Sequence, residues 1–252
     1  MRHPSLPARL LALFLALFLS LQHAYAQSIL RDAETEALFA DMSVDIIRAA
    51  GLEPRHVQIV LINDKEINAF VAGGQIVYIH SGLITSAKNV GEVQGVIAHE
   101  LAHIKNRDTL LMTVTASIAG AISALAQFGM MFNRGRDRQG QNPFGPIGMI
   151  LMVILAPMAA AVVQMAISRS REYEADKMGA QICGQPMALA GALQKLEHYA
   201  HQRVNQRAEA NPASAHMFII NPLSGARMDN LFSTHPRTEN RVAALEKLVT
   251  YL

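Results

Sequence analysis

Two long uncharged stretches, Thr109 to Phe132 and Gln139 to Ser168, restrict what this chain can become. Each exceeds the roughly 20 residues that a helix needs to cross a bilayer. Arg134, Arg136, Asp137 and Arg138 stand between them. Two arrangements satisfy such a pattern: a helical hairpin in a membrane, or a helix pair buried inside a soluble domain. The Ala, Gly, Ser and Thr of the first stretch keep the buried pair open. The whole chain is 51% hydrophobic and 17% charged, apolar for a soluble protein, which favours the hairpin. Pro157 falls inside the second stretch, and membrane helices tolerate proline.

The flanking sequence has mixed periodicity. Leu38, Met42, Ile46 and Ile47 recur about a helical turn apart and predict a helix over 32–50, ended by Gly51. Val57 to Ile62 is rich in β-branched residues and reads as a strand. Asn68 to Val71 is a second extended run, and Gln75 to His80 a third after the Gly73-Gly74 turn. Val93, Val96, Ile97, Leu101 and Ile104 predict a helix over 92–106. The second apolar helix continues through Arg171 toward Gln181, and another runs from Pro186 to about His201. A polar loop and a last helix opened by Pro236 complete the chain.

The segment His99-Glu100-Leu101-Ala102-His103 carries the chemistry. Two His four residues apart lie on one helix face, about one turn from each other, and reach one cation. Glu100 sits beside them without filling a coordination position. This is the H-E-x-x-H pattern, which predicts His99 and His103 as zinc ligands and Glu100 as general base. Zinc accepts three protein ligands plus a water and lowers the pKa of that water to about 7. The third ligand belongs on another helix. Arg171-Glu172-Tyr173-Glu174-Ala175-Asp176 supplies Glu172 and Asp176 one turn apart on one face, with Glu174 directed elsewhere. Glu172 is the expected ligand, and Asp176 the residue that orients a ligand His.

Other classes are excluded or disfavoured. A net charge of +2 with no basic run gives no case for nucleic acid. The single cysteine, Cys183, excludes an internal disulfide and a Cys-rich zinc finger. Glu100-x-x-His103 also matches half of a di-iron site, but the other such spacing, Glu53 to His56, contains Pro54 and leads into a strand. Arg2 and Arg9, the apolar run Leu10 to Leu21 and Ala24-Tyr25-Ala26 form the three parts of an export signal, with cleavage expected after Ala26. An uncleaved anchor is the alternative.

Five segments resemble the M48 family of zinc metallopeptidases: Asn68-Ala69-Phe70, Ser81 to Ile84, His99 to Asp108 (HELAHIKNRD), Ile167 to Asp176 (ISRSREYEAD) and Phe232 to Arg241 (FSTHPRTENR). From the first apolar helix onward the chain looks most like HtpX membrane proteases. The part before it looks more like periplasmic proteases of the BepA type. The resemblance implies the same roles for His99, Glu100, His103 and Glu172, and a substrate strand added to a sheet edge near Asn68 to Phe70. It also draws His235 and Arg241 toward the metal. His235 would either stabilise the developing oxyanion or fill the open zinc position and hold the enzyme off.

The expected fold is α+β, a mainly helical zincin-like domain with a small sheet. Residues 1–26 form the signal or anchor, 27–108 and 168–252 the catalytic domain, and 109–167 a transmembrane hairpin. The expected function is that of a zinc endopeptidase, with one Zn2+ per chain, acting on misfolded or misassembled membrane and envelope proteins. A catalytically latent chaperone or assembly factor on the same fold is the alternative. The implied location is a bacterial cell membrane. One N-terminal apolar segment plus a hairpin turns the catalytic domain toward the periplasm, and Lys105, Arg107, Arg169 and Arg171 argue for the cytoplasmic side instead.

Overall fold

Alternation and helical periodicity divide the chain before the apolar stretches into one helix, a sheet and the motif helix. The computed structural model describes residues 29–133, 145–202, 204–210, 218–223 and 235–250. The signal segment, the arginine-bearing connection between the apolar stretches and most of the loop before Pro236 lie outside the described residues.

Helix α1 (Ala33–Ala49) buries Phe39, Ser43, Ile46 and Ile47, while Leu38 lies on the opposite, exposed face. Gly51, at φ +73°, turns the chain out of the helix. A 3₁₀ turn (Pro54–His56) leads into β1 (Gln58–Ile62). Glu53 and His56 are exposed on this turn, remote in kind from the buried carboxylates of a di-iron centre. Strands β2 (Ala69–Ala72) and β3 (Ile76–His80) follow. β3 is central, parallel to β1 from Gln58↔Ile76 to Ile62↔His80 and antiparallel to β2 from Ala69↔Ile79 to Ala72↔Ile76. Ile29 bridges to Ile62 on the outer side of β1. The outer edge of β2 pairs with no described strand.

Helix α2 (Ser81–Ser86), a single short element absent from the periodicity, leads to α3 (Val90–Asn106), which carries the H-E-x-x-H segment. Asn89 caps α3 by accepting the Glu92 N–H at 3.0 Å, and the Glu92 carboxylate accepts the Lys88 N–H at 2.8 Å. Glu92 is held in turn by Lys195 at 2.5 Å. Val93, Val96, Ile97 and Leu101 make α3 the centre of the core, against Val77 and Ile79 of the sheet and Leu189 and Leu193 of a later helix.

The apolar stretches form α4 (Asp108–Asn133) and α5 (Gly145–Cys183), packed side by side. α5 runs unbroken through Pro157. Both are long and apolar enough to cross a membrane. In their most apolar windows 0% and 6% of the described residues are buried inside the protein, so these windows face outward. Helices α6 (Pro186–Gln202), α7 (Gln206–Ala210) and α8 (Thr238–Leu248) close the structure. α7 is too short to announce itself by periodicity. α8 begins at Thr238, two residues after Pro236, where the Thr238 hydroxyl donates to Glu197 at 2.8 Å.

α3 packs most extensively against the second half of α5. Gly179 permits the approach: a Cβ there would lie 2.9 Å from the His99 backbone nitrogen and 3.0 Å from its Cα. Gly179→Ala must push the two helices apart at the motif itself. We expect it to cost about 1–3 kcal/mol in denaturant unfolding and to weaken metal retention. Gly120→Ala is the control, since its Cβ meets nothing within 4 Å. Equal behaviour of the two variants would contradict the role assigned to Gly179.

Candidate metal centre

α3 presents His99 and His103 on one face, with their rings 4.7 Å apart and edge to face. Their Nε2 atoms approach to 3.2 Å. Glu172 reaches them from α5, with Oε2 3.7 Å from His99 Nε2 and Oε1 3.7 Å from His103 Nε2. His99 and Glu172 are buried and His103 is nearly so. Glu100, also on α3, is 4% exposed.

The outward nitrogens explain the orientation of the rings. His99 Nδ1 lies 3.0 Å from Asp176 Oδ1, and His103 Nδ1 lies 2.8 Å from Asp108 Oδ2. His103 Nδ1 is hydrogen-bonded to Asp108, and with His99 Nδ1 beside Asp176 the two Nε2 atoms approach one point. Two imidazole nitrogens and a carboxylate converge on one point, an arrangement that suits a bound cation. A tetrahedral zinc with ligand bonds of about 2.1 Å has ligand–ligand edges of about 3.4 Å. The observed separations of 3.2, 3.7 and 3.7 Å bracket that value. The donor set, two imidazoles and one carboxylate, suits zinc.

Each carboxylate is itself held by an arginine. Arg241 of α8 donates to Asp176 from Nε and Nη2, both at 2.7 Å, and to the Ile219 carbonyl from Nη1 at 2.5 Å. Its Nη1 is also 3.2 Å from Glu172 Oε2. Arg171 Nε donates to Asp108 Oδ1 at 2.6 Å. Two relays of the same form, Arg241–Asp176–His99 and Arg171–Asp108–His103, therefore brace the site. His235, 3% exposed, brings Nδ1 to 3.8 Å from Glu172 Oε2. The structure thus gathers His99, Glu100, His103, Glu172, Asp176, His235 and Arg241 in one place. Asp108 and Arg171 were the participants not singled out by sequence.

The electrostatics favour positive charge between the imidazoles. Burial pulls His103 down, but its hydrogen bond to Asp108 and the nearby Glu172 and Glu100 outweigh burial and raise its pKa to about 9. Burial pushes the Glu100 carboxyl above the usual carboxylate range, against the pull of His99 and His103. Burial also opposes the charge on Arg241, yet Asp176 and Glu172 hold its guanidinium protonated beyond the usual range.

Asp64, Glu66 and His80 form a second group of potential ligand atoms within 4.8 Å of one another. Glu66 there accepts a hydrogen bond from Asn205, whose side-chain oxygen accepts the Ala208 N–H at 3.0 Å. Glu66 thus anchors α7. A cavity of about 370 Å³ opens beside it, lined by Asn68, Tyr199 and Phe218 among others, and none of the residues around it is a ligand of the first group. It lies at the start of the edge strand β2.

The arrangement on α3 and α5, a helix-borne His pair completed by a carboxylate from a second helix, is that of a metallopeptidase. The chain belongs to peptidase family M48, whose profile matches residues 30–249. The crystal structure of S. mikatae Ste24p is similar in fold, with a TM-score of 0.52 and 18% identity over 93% of this chain. The chain spans 56% of the length of that structure.

The two relays predict different responses to truncation. Asp108→Ala and Asp176→Ala should each loosen metal retention about 10–100-fold in chelator competition. Asp176→Ala also leaves Nε and Nη2 of Arg241, which is 0% exposed, without their acceptor, and should cost about 1–3 kcal/mol of stability. Asp108→Ala leaves Arg171, with a side chain 23% exposed, close to water and should destabilise less. Equal unfolding midpoints for the two variants would contradict the difference.

Proposed function

We propose that the protein is a zinc-dependent endopeptidase of membrane or envelope proteins, with one zinc held by His99, His103 and Glu172. The observation that carries this is the convergence of two Nε2 atoms and the Glu172 carboxylate beside the buried Glu100. Bound there, zinc would polarise a peptide carbonyl and lower the pKa of a water to about 7. Glu100 takes a proton from the attacking water as its oxygen bonds to the carbonyl carbon. It gives that proton to the amide nitrogen as the C–N bond breaks. Its burial supports this role, because burial raises the carboxyl above the usual carboxylate range and so makes it a better base. Asp176 and Asp108 keep the Nδ1 protons in place and so hold both rings in register.

The outer edge of β2, which pairs with no described strand, supports substrate binding as an added strand. Backbone hydrogen bonds would give affinity with little sequence selectivity, which suits misfolded substrates. We divide the chain into a catalytic part, 27–108 and 168–252, and a membrane hairpin, 109–167. The exposed apolar faces of α4 and α5 support the hairpin. His235, beside Glu172, supports either of two roles, oxyanion stabiliser or latch over the metal. A latch would make the chain a latent protease that resembles an assembly factor.

Metal analysis and casein cleavage on wild type, Glu100→Gln and His235→Ala test this reading. Wild type should carry about one zinc and cut, and Glu100→Gln should keep the zinc and lose about 10²–10⁴-fold in rate. His235→Ala lowers the rate if His235 stabilises the oxyanion and raises it if His235 is a latch. Wild type without zinc would overturn the proposal.

A further inference from the structure

The metal centre sits at a fixed and small height above the apolar part of the helices. α5 is one unbroken helix from Gly145 to Cys183, so the same element carries the apolar stretch and Glu172. The uncharged run ends at Ser168. Glu172 is one turn further, about 6 Å at 1.5 Å per residue. The second path is shorter. Asp108, which holds His103 at 2.8 Å, is the first residue of α4. The exposed Leu110 and Leu111 follow within one turn. α3 and α4 are joined through the single residue Arg107 at φ +55°, with its N–H bonded back to Ile104 at 3.1 Å. The Arg171–Asp108 bond ties the two apolar helices together at this level. Neither path contains a flexible linker.

The side chains at this level are basic. Lys105 and Arg107 are exposed, and Arg169 and Arg171 are half-buried. The exposed Lys105 and Arg107, at the end of two apolar helices, fit a layer of lipid phosphates, with their stems along the apolar surface, while Arg171 is engaged by Asp108.

From this geometry we infer that the site is a ruler set at the membrane surface: among membrane-anchored chains it cuts peptide bonds within about two helical turns of the point where the chain leaves the bilayer. The inference rests on the peptidase reading above and narrows its substrate class to juxtamembrane segments in an extended state. Bonds held higher by folded structure lie beyond the site, because α4 and α5 hold the catalytic part against the bilayer.

The full-length protein in liposomes of zwitterionic and anionic phospholipid provides the test. Substrates are single-span chains bearing one cleavable unstructured segment, either directly after the span or lifted by a 20-residue helical spacer of Glu-Ala-Ala-Ala-Lys repeats. The spacer raises the segment by about 30 Å. Both substrates diffuse in the same membrane, so their encounter frequencies match. We expect the lifted segment to be cut at least about tenfold more slowly, and the cuts in the direct one to cluster within about ten residues of the span. Equal rates, or cuts spread evenly along the segment, overturn the ruler. Casein in detergent separates the two failures. Casein cleavage with no spacer effect removes the ruler alone, whereas no cleavage of any substrate removes the peptidase reading and the ruler with it.

Discussion

The crossing of α3 and α5 is the contact on which the rest of the site depends. The donor set is split between them, two imidazoles on one and the carboxylate on the other. A shift of 1 Å along either axis would open the Nε2–carboxylate separations of 3.7 Å beyond what one small cation can bridge. The register is set by shape. Gly179 lies directly over the backbone of His99, where any side chain would collide. Gly95 plays the same part on the other side of α3, where a Cβ would stand 3.1 Å from the backbone of Leu189 on α6. The motif helix is therefore clasped by two helices at near-backbone contact. That clasp buries Val96, Ile97 and Leu101 and leaves the His pair little freedom.

Charge then fixes what packing brings near. Arg241, Asp176, Glu172, Asp108 and His99 are all buried, a concentration of ionisable groups that an apolar core would not tolerate unpaired. Nε, Nη1 and Nη2 of Arg241 each donate to an acceptor, and those acceptors come from α5 and the 218–223 segment. Arg241 is thus the tie between the C-terminal helix and the ligand helix. The Arg171–Asp108 pair does the same between α5 and the start of α4. The symmetry has a chemical consequence. The imidazole of His103 is made more basic by the Asp108 carboxylate at Nδ1, and each of the two carboxylates, Asp108 and Asp176, is engaged by its own guanidinium.

The candidate ligands were legible in the sequence because their spacing is local. His99 and His103 share a helix face by the period of the helix alone, and Glu172 and Asp176 repeat that relation. The sheet and the long helices were legible for the same reason, since β-branched runs and apolar periodicity act within one segment. What stayed hidden depends on contacts between segments. Asp108 follows a helix break at Arg107, and nothing in its neighbours says that it folds back on His103. Arg171 is 63 positions from the Asp108 that it holds. Gly179 looks like any small residue in an apolar helix until the backbone of His99 is placed against it. Ile46 and Ile47 of the expected helical set are buried, but in the first half of α1 the buried stripe runs through Phe39 and Ser43, one position around the helix from the expected Leu38 and Met42. Three residues per two turns leave that choice open until the partner surface exists.

The relation between the apolar helices and the site is of a different kind from an anchor attached by a linker. A tether would leave the catalytic part free to sample heights above a membrane, and its reach would grow with the tether's length. Here the last apolar turn of α5 and the turn bearing Glu172 belong to one hydrogen-bonded helix. Asp108 is at once the first residue of an apolar helix and the partner of a ligand. A change in the angle between α4 and α5 would move Asp108 relative to Arg171, and through Asp108 would move His103. The same two bonds that orient an imidazole thus also report the packing of the hairpin, so the ligand geometry and the arrangement of the apolar helices are one structural variable.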